Sequence, residues 1–192
     1  MFSPQEQELI NSDVFFVHKR KITEKIYAEL HSWRTSIQEL LRKQIPSLPV
    51  ELITAGKINR GENLDGLPWI NMDCPGWFKH ENVFAIRYLF WWAKHFSITL
   101  HVGGEFLSLL NTEKVLQLVN NSHAYWNIHP TPWKYHYGED NYISLEKVNE
   151  SIIQETLQRG FAKISLRYHL KEMNTLSDVG IQGTKSLLKL LK

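Results

Sequence analysis

The chain has 192 residues, 43% of them hydrophobic, with 22 Lys and Arg against 20 Asp and Glu for a formal net charge of +2. That length suits a single domain over 1–192 with a full core, and the near balance of charge excludes a strongly basic nucleic-acid binder and an acidic disordered chain. One cysteine, Cys74, excludes an intramolecular disulfide and a multi-cysteine zinc site.

The opening residues carry no basic segment followed by an apolar run, so no secretory signal is read. The most apolar stretch, 83–100, is interrupted by Arg87, Lys94 and His95 and is too charged to span a bilayer. A cytoplasmic protein is the resulting expectation. Its expected partner is a small molecule or a protein, with no nucleic acid and no membrane. The residues specify no cofactor and leave the oligomeric state open.

Ile22, Ile26, Leu30, Trp33, Ile37 and Leu40 or Leu41 recur at spacings of three and four, which predicts a helix over 22–44 with one apolar stripe. Pro46 ends it, because the residue before a proline is pushed out of helical geometry. Residues 50–59 read as a strand, followed by a turn-rich 60–66 and a second strand over 67–74 that Pro75-Gly76 ends, together a hairpin. The aromatic run 83–92 reads as a central strand with both faces apolar. Through Ala93-Lys94-His95 it joins a half-buried strand in which Phe96, Ile98, Leu100 and Val102 alternate with Ser97, Thr99 and His101.

Further on, Asn111 or Thr112 caps a short helix through Val115, Leu116 and Val119. Ser144 caps another through Leu145, Val148, Ile152 and Thr156, closed by Gly160. In a fifth strand over 161–170, Ala162, Ile164, Leu166 and Tyr168 alternate with Lys163, Ser165, Arg167 and His169. A final helix follows from Thr175, weakened by Gly180 and Gly183. The predicted fold class is α+β, a sheet of four or five antiparallel strands packed against the long N-terminal helix and the later helices.

Between the two middle helices lies 123–142, with two prolines and six large aromatics. Long loops without structure of their own are uncommon and often functional, and the aromatics argue against disorder. The segment is therefore expected to lie against the domain as a lid. Strand alternation sets Asn71 with Asp73, Thr99 with His101, and Arg167 with His169, each pair on one face. If these faces coincide, they form a small-molecule pocket of a few polar groups in an aromatic setting. Its ligand-binding residues would be Asp73, Thr99, His101, Trp126, His129, Trp133, His136, Arg167 and His169. Otherwise the same residues are the solvated face of an antiparallel sheet.

Other candidates carry less. His123, His129 and His136 stand six and seven residues apart, outside the compact spacings of metal motifs, so no metal site is assigned. His101, His129, His136 and His169 are the set that a His-dependent, possibly metal-dependent, enzyme would use. Cys74 reads as a buried structural thiol, and Glu62 with Asp65 as a solvated turn. Lys19-Arg20-Lys21 reads as the solvated start of a helix. Trp77, Trp91, Trp92, Trp126 and Trp133 read first as core; exposed, they and the tyrosines would suit a homo-oligomeric interaction module. There is no phosphate loop, dinucleotide glycine fingerprint or Gly-x-Ser-x-Gly elbow.

The runs 66–75 (GLPWINMDCP), 84–92 (FAIRYLFWW) and 96–101 (FSITLH) resemble a family of bacterial hypothetical proteins of uncharacterised activity. The resemblance implies no activity, cofactor or site residue. Non-catalytic binding of a small ligand or a partner is the expected function.

Overall fold

The computed structural model describes residues 1–118, 123–171 and 176–192. Helix α1 (Pro4–Ile10) opens at a Ser3 capping box, and α2 (Asp13–Gln44) follows after a short turn. At 32 residues α2 runs roughly 48 Å. Ile26, Leu30, Trp33, Ile37 and Leu41 are its buried face, as the stripe predicts. It starts nine residues earlier than the expected Ile22, because Val14, Phe15, Phe16 and Val17 are consecutive and show no helical period.

Residues 50–59 are not a strand. Pro49, whose fixed φ suits a helix start, leads into α3 (Val50–Thr54), which buries Leu52 and Ile53. Strand β1 (Ile58–Leu64) runs through the stretch expected as a turn, and the turn itself is only Asp65-Gly66, at φ 49° and 81°. Strand β2 (Leu67–Lys79) continues past Pro75; its register with β3 shifts between Asp73 and Gly76, so the proline owes no ladder bond there. β3 (Asn82–Trp91) and β4 (His95–Gly103) form the expected hairpin, but β4 is buried along its whole length rather than on one face.

Helix α4 (Thr112–Gln117) is capped by Asn111, whose side chain accepts from Lys114 N at 3.0 Å. Val119, expected in this helix, and Thr175, expected to open the last one, lie outside the described residues. The ends of the aromatic segment pair as short strands, β5 (Ala124–Asn127) and β6 (Tyr142–Ser144). Helix α5 (Glu150–Leu157) takes its cap from Asn149 rather than Ser144, and Gly160 closes it at φ 83°. β7 (Phe161–Tyr168) and α6 (Leu176–Leu188) complete the chain.

The class is α+β, with a seven-stranded antiparallel sheet in the order β1-β2-β3-β4-β7-β5-β6. Four or five strands was an undercount. β5 and β6 have four and three residues, too few for an alternation to register in sequence.

One face of the sheet packs on α2 and α6. Trp33 stands between Tyr88 and Phe96, with ring centroids 6.1 and 6.2 Å away. Gly180 and Gly183 are where α6 comes closest. A Cβ on Gly180 would sit 2.7 Å from the Trp33 ring, and one on Gly183 would sit 2.6 Å from Ile98 Cδ1. The low helix propensity of these glycines is thus the cost of close packing. Two polar pairs close within this layer, the Tyr88 and Thr184 hydroxyls at 2.6 Å and Trp126 Nε1 donating to Thr156 Oγ1 at 2.9 Å, while Trp33 Nε1 is buried without a hydrogen-bond partner. No helix among the described residues is long and apolar enough to cross a membrane.

Candidate functional site

The opposite face of the sheet gathers polar side chains. Cross-strand register sets Asp73 opposite Arg87, Arg87 opposite Thr99, Thr99 opposite Ser165 and Ser165 opposite Tyr125. His101 lies opposite Lys163, and Ser97 opposite Arg167. The polar faces of β2, β4 and β7 therefore coincide, because antiparallel partners directly opposite each other point to the same side.

Residues 128–141, a run of turns and bends, cover this face as a flap. Its neck is tied: Asn127 Nδ2 donates to Asn141 Oδ1 at 2.8 Å and to Asn141 O at 3.0 Å, and Ile128 N donates to Asn141 O at 2.9 Å. Arg159 holds the incoming strand, donating to Asn127 O at 2.9 Å and also to His129 O. Tyr137, in the flap itself, anchors it to the sheet. Its ring stacks on Tyr142 at 4.7 Å and meets Tyr125 and His95 edge-on, both at 4.9 Å. Its hydroxyl shares a 2.5 Å hydrogen bond with Ser165, which shares one of 2.7 Å with Thr99.

Two cations hold the flap tip. Arg87 grips Asp73 with two parallel bonds, Nε to Oδ1 at 2.7 Å and Nη2 to Oδ2 at 2.9 Å, and donates a third to the Tyr135 hydroxyl. Burial opposes the Arg87 charge, but the bonds and charge of Asp73 outweigh it and raise its pKa above the ordinary arginine value. Lys163 is 2% exposed in the centre of the sheet. Its Nζ donates to Pro132 O at 2.7 Å and Lys134 O at 3.1 Å, and lies 4.9 and 5.4 Å from the Tyr135 and Tyr142 ring centroids. Among the described residues no carboxylate forms an ion pair with it.

Burial, with the positive charges of Arg87 and Arg159 added, pulls Lys163 down to about 7. Burial also holds His101 down to about 3, with Lys163 and Arg87 contributing, and His95 to about 3, with Arg167 and Lys94 contributing. The Nε2 atoms of both histidines are buried without a hydrogen-bond partner. Between Arg87, Thr99, His101, Trp133, Tyr135 and Lys163 remains a void of about 10 Å³, close to the volume one water needs.

Of the residues expected to bind a ligand, Asp73, Thr99 and His101 lie together on this face. Arg167 joins them at its edge, its guanidinium 4.9 Å from the Tyr137 ring. Trp133 sits at the flap tip, 55% exposed, 6.0 Å from the His101 ring. Four others go elsewhere. Trp126 alternates with Tyr125 and Asn127, so it points to the other face, into the core. His129 and His136 shape flap turns, accepting from Thr131 N at 3.1 Å and Gly138 N at 3.2 Å. His169 lies past the end of β7, exposed.

Among the described residues, no three His, Cys, Asp or Glu side chains come together to hold a metal ion. Cys74 belongs to the core, and burial pushes its thiol up to about 11, so it stays protonated at neutral pH. Arg87, Lys163, Ser165, Tyr135 and Tyr137 escaped the sequence reading as site residues. For Arg87 a signal existed: a lone charge in the apolar run of a central strand. For the others only cross-strand register supplies it.

A larger groove of about 550 Å³ opens on the helix side, lined mainly by Ile22, Ile26, Phe90, Trp92, Leu170 and Leu176. No protein-family model, curated protein or solved structure matches the chain, so its function is read from geometry alone.

Proposed function

We propose that the flap-covered face binds a small anion, a carboxylate or a phosphate, without covalent chemistry. Lys163 carries this reading. Asp73 has both oxygens committed to Arg87, which leaves Lys163 as a buried cation without a counter-charge, resting on two carbonyl oxygens of the flap tip. An unpaired ammonium in a protein interior is expensive, and perturbed groups of this kind concentrate at binding sites. The Pro132 and Lys134 carbonyls occupy positions that anion oxygens would take. Entry of an anion lifts the tip, frees Tyr135 from Arg87 and leaves the neck tied by Asn127, Asn141 and Arg159. His101 Nε2, in its N–H tautomer, adds a donor beside the bound oxygens.

The test is a thermal-shift and calorimetric titration with inorganic phosphate and a panel of small carboxylates. At a hundred times its Kd, an anion should stabilise the protein by about 2.7 kcal/mol. Lys163→Met should abolish that gain while leaving the fold intact. If no anion stabilises the protein at tens of times the concentration of ordinary metabolites, the reading fails.

One observation favours a second reading. An amine held down to about 7 is matched to proton transfer at neutral pH, as a general base requires. Under that reading the anion is a substrate, and a product appears on incubation with wild type but not with Lys163→Met.

A further inference from the structure

Helix α1 and the first turn of α2 contribute nothing to the core; on the next turn Lys19 reaches Glu62 of β1 at 2.6 Å. The hydrophobic core begins at Ile26 and takes no residue from 1–25. Residues 13–18 of α2, ahead of the Lys19–Glu62 ion pair and of Ile22 at the helix-side groove, therefore form with α1 an arm outside the core. This arm is nonetheless apolar. Val14, Phe15, Phe16 and Val17 are 61, 47, 53 and 48% exposed, and Phe2, Leu9, Ile10 and Ile22 are exposed as well. Successive residues on a helix point about 100° apart, so four in a row cover nearly its whole circumference. A helix lying on a membrane shows one apolar face and one charged face. A turn that is apolar all round is one that a bundle buries on every side.

We propose that the arm is the interface between two copies of this chain, crossing antiparallel about a twofold axis at Phe15 and Phe16. The proposal is independent of the anion site. Two quantities on the arm fit a second copy. Each of its large apolar side chains leaves on the order of 100 Å² in water, and together they approach the ~800 Å² per partner of a standard stable interface. A lone protein rarely leaves that much apolar area exposed on one arm. Charge sets the direction. Glu6, Glu8 and Asp13 precede the Phe pair, and His18 and Lys21 follow it, with Lys19 already paired to Glu62 and Arg20 to Glu24. Antiparallel arms bring the acidic end of one against the basic end of the other, and a parallel arrangement sets like against like. The same surface patch serves on both copies, as a twofold contact requires.

Sedimentation of the full chain over a concentration series, with and without Phe15→Glu/Phe16→Glu, tests this. The wild type should sediment as a dimer at micromolar concentration. The double variant should dissociate on the order of a hundredfold more readily, or further, because it removes the central anchors. Its far-UV circular dichroism should be unchanged, since neither ring contributes to the core. If the double variant is insoluble, Phe16→Ser in the same series reads the same dissociation. A wild type that stays monomeric at about 100 µM, far above the Kd of an interface this size, overturns the proposal. So does a dimer that either variant leaves intact, or a monomer that instead pellets with phosphatidylcholine–phosphatidylserine vesicles.

Discussion

The two faces of the sheet are closed by different physics. On the helix side, Met72, Phe84, Tyr88, Phe96, Ile98 and Leu166 meet the stripe of α2 and the glycine-notched face of α6. Stability there comes from apolar area and close fit; two of its polar pairs close at 2.6 and 2.9 Å, and the Trp33 indole N–H is left without a partner. On the flap side a guanidinium, an ammonium, a carboxylate, two neutral histidines and a cluster of tyrosines are buried under a segment with no helix or strand of its own. That face is held by charge-assisted hydrogen bonds and ring contacts, and it retains a cation without a counter-ion. The flap side gives up stability at Lys163, as binding sites commonly do.

Breaking each face should cost a similar amount for different reasons. Trp33→Ala on the helix side should lose about 3–5 kcal/mol in urea unfolding through the cavity it leaves. Asp73→Ala on the flap side should lose about 3–5 kcal/mol because Arg87 is left buried and unpaired. The distinction sharpens in the double variant. Asp73→Leu with Arg87→Met removes both charges and should recover most of the loss, a rescue no second substitution beside Trp33 provides.

Lys163→Met separates the faces further. Removing an unneutralised buried ammonium should raise stability at neutral pH by about 1–4 kcal/mol, whereas shortening a core residue on the helix side only lowers it. Scanning calorimetry of the variant reads the sign directly.

Below about pH 8, where the core thiol of Cys74 stays protonated, the pH dependence should follow the flap side. His95 and His101 are held at about 3, below their unfolded value near 6.5, so the unfolded chain binds more protons between those limits. The histidine contribution is complete above pH 6.5 and is lost as pH drops toward 3, by up to about 1.4 kcal/mol per pH unit for each histidine. Lys163, held at about 7 against an unfolded value near 10.4, acts in the same sense, and its contribution rises from pH 7 toward 10. His101→Phe should flatten the acid limb and Lys163→Met the alkaline one, both measured by urea unfolding across pH.

Trp133→Ala should have the smallest effect on stability, within about 0.5 kcal/mol, because the ring is more than half exposed. Amide exchange at 132–135 should nevertheless quicken, since the ring caps the void beside His101.

What could be read from sequence follows from how far each signal reaches along the chain. The stripe from Ile26 to Leu41, the aromatic run of β3 and the alternation of β4 and β7 are local, and their elements came out with the right type. The helix over Val50–Thr54 was hidden because Val, Ile and Thr are strand formers, and burial of Leu52 and Ile53 overrides that preference. Alternation assigned Asp73, Thr99 and His101 to one face within each strand, but whether those faces coincide depends on register, which the sequence left open. Arg87 and Lys163 were missed as partners because pairing them with Asp73 and the flap carbonyls needs register across four strands and the path of 128–141. Neither leaves a local trace. His129, His136 and His169 were overvalued for the converse reason: residue type was visible, direction was not.

The protonation of Lys163, followed by NMR of its side chain across pH with and without a bound anion, tests the account most directly. A midpoint near 7 that moves upward when phosphate or a carboxylate is added is the predicted result. A midpoint near the ordinary 10.4 that no anion shifts would contradict it, because Lys163 would then be neither desolvated nor waiting for a counter-charge.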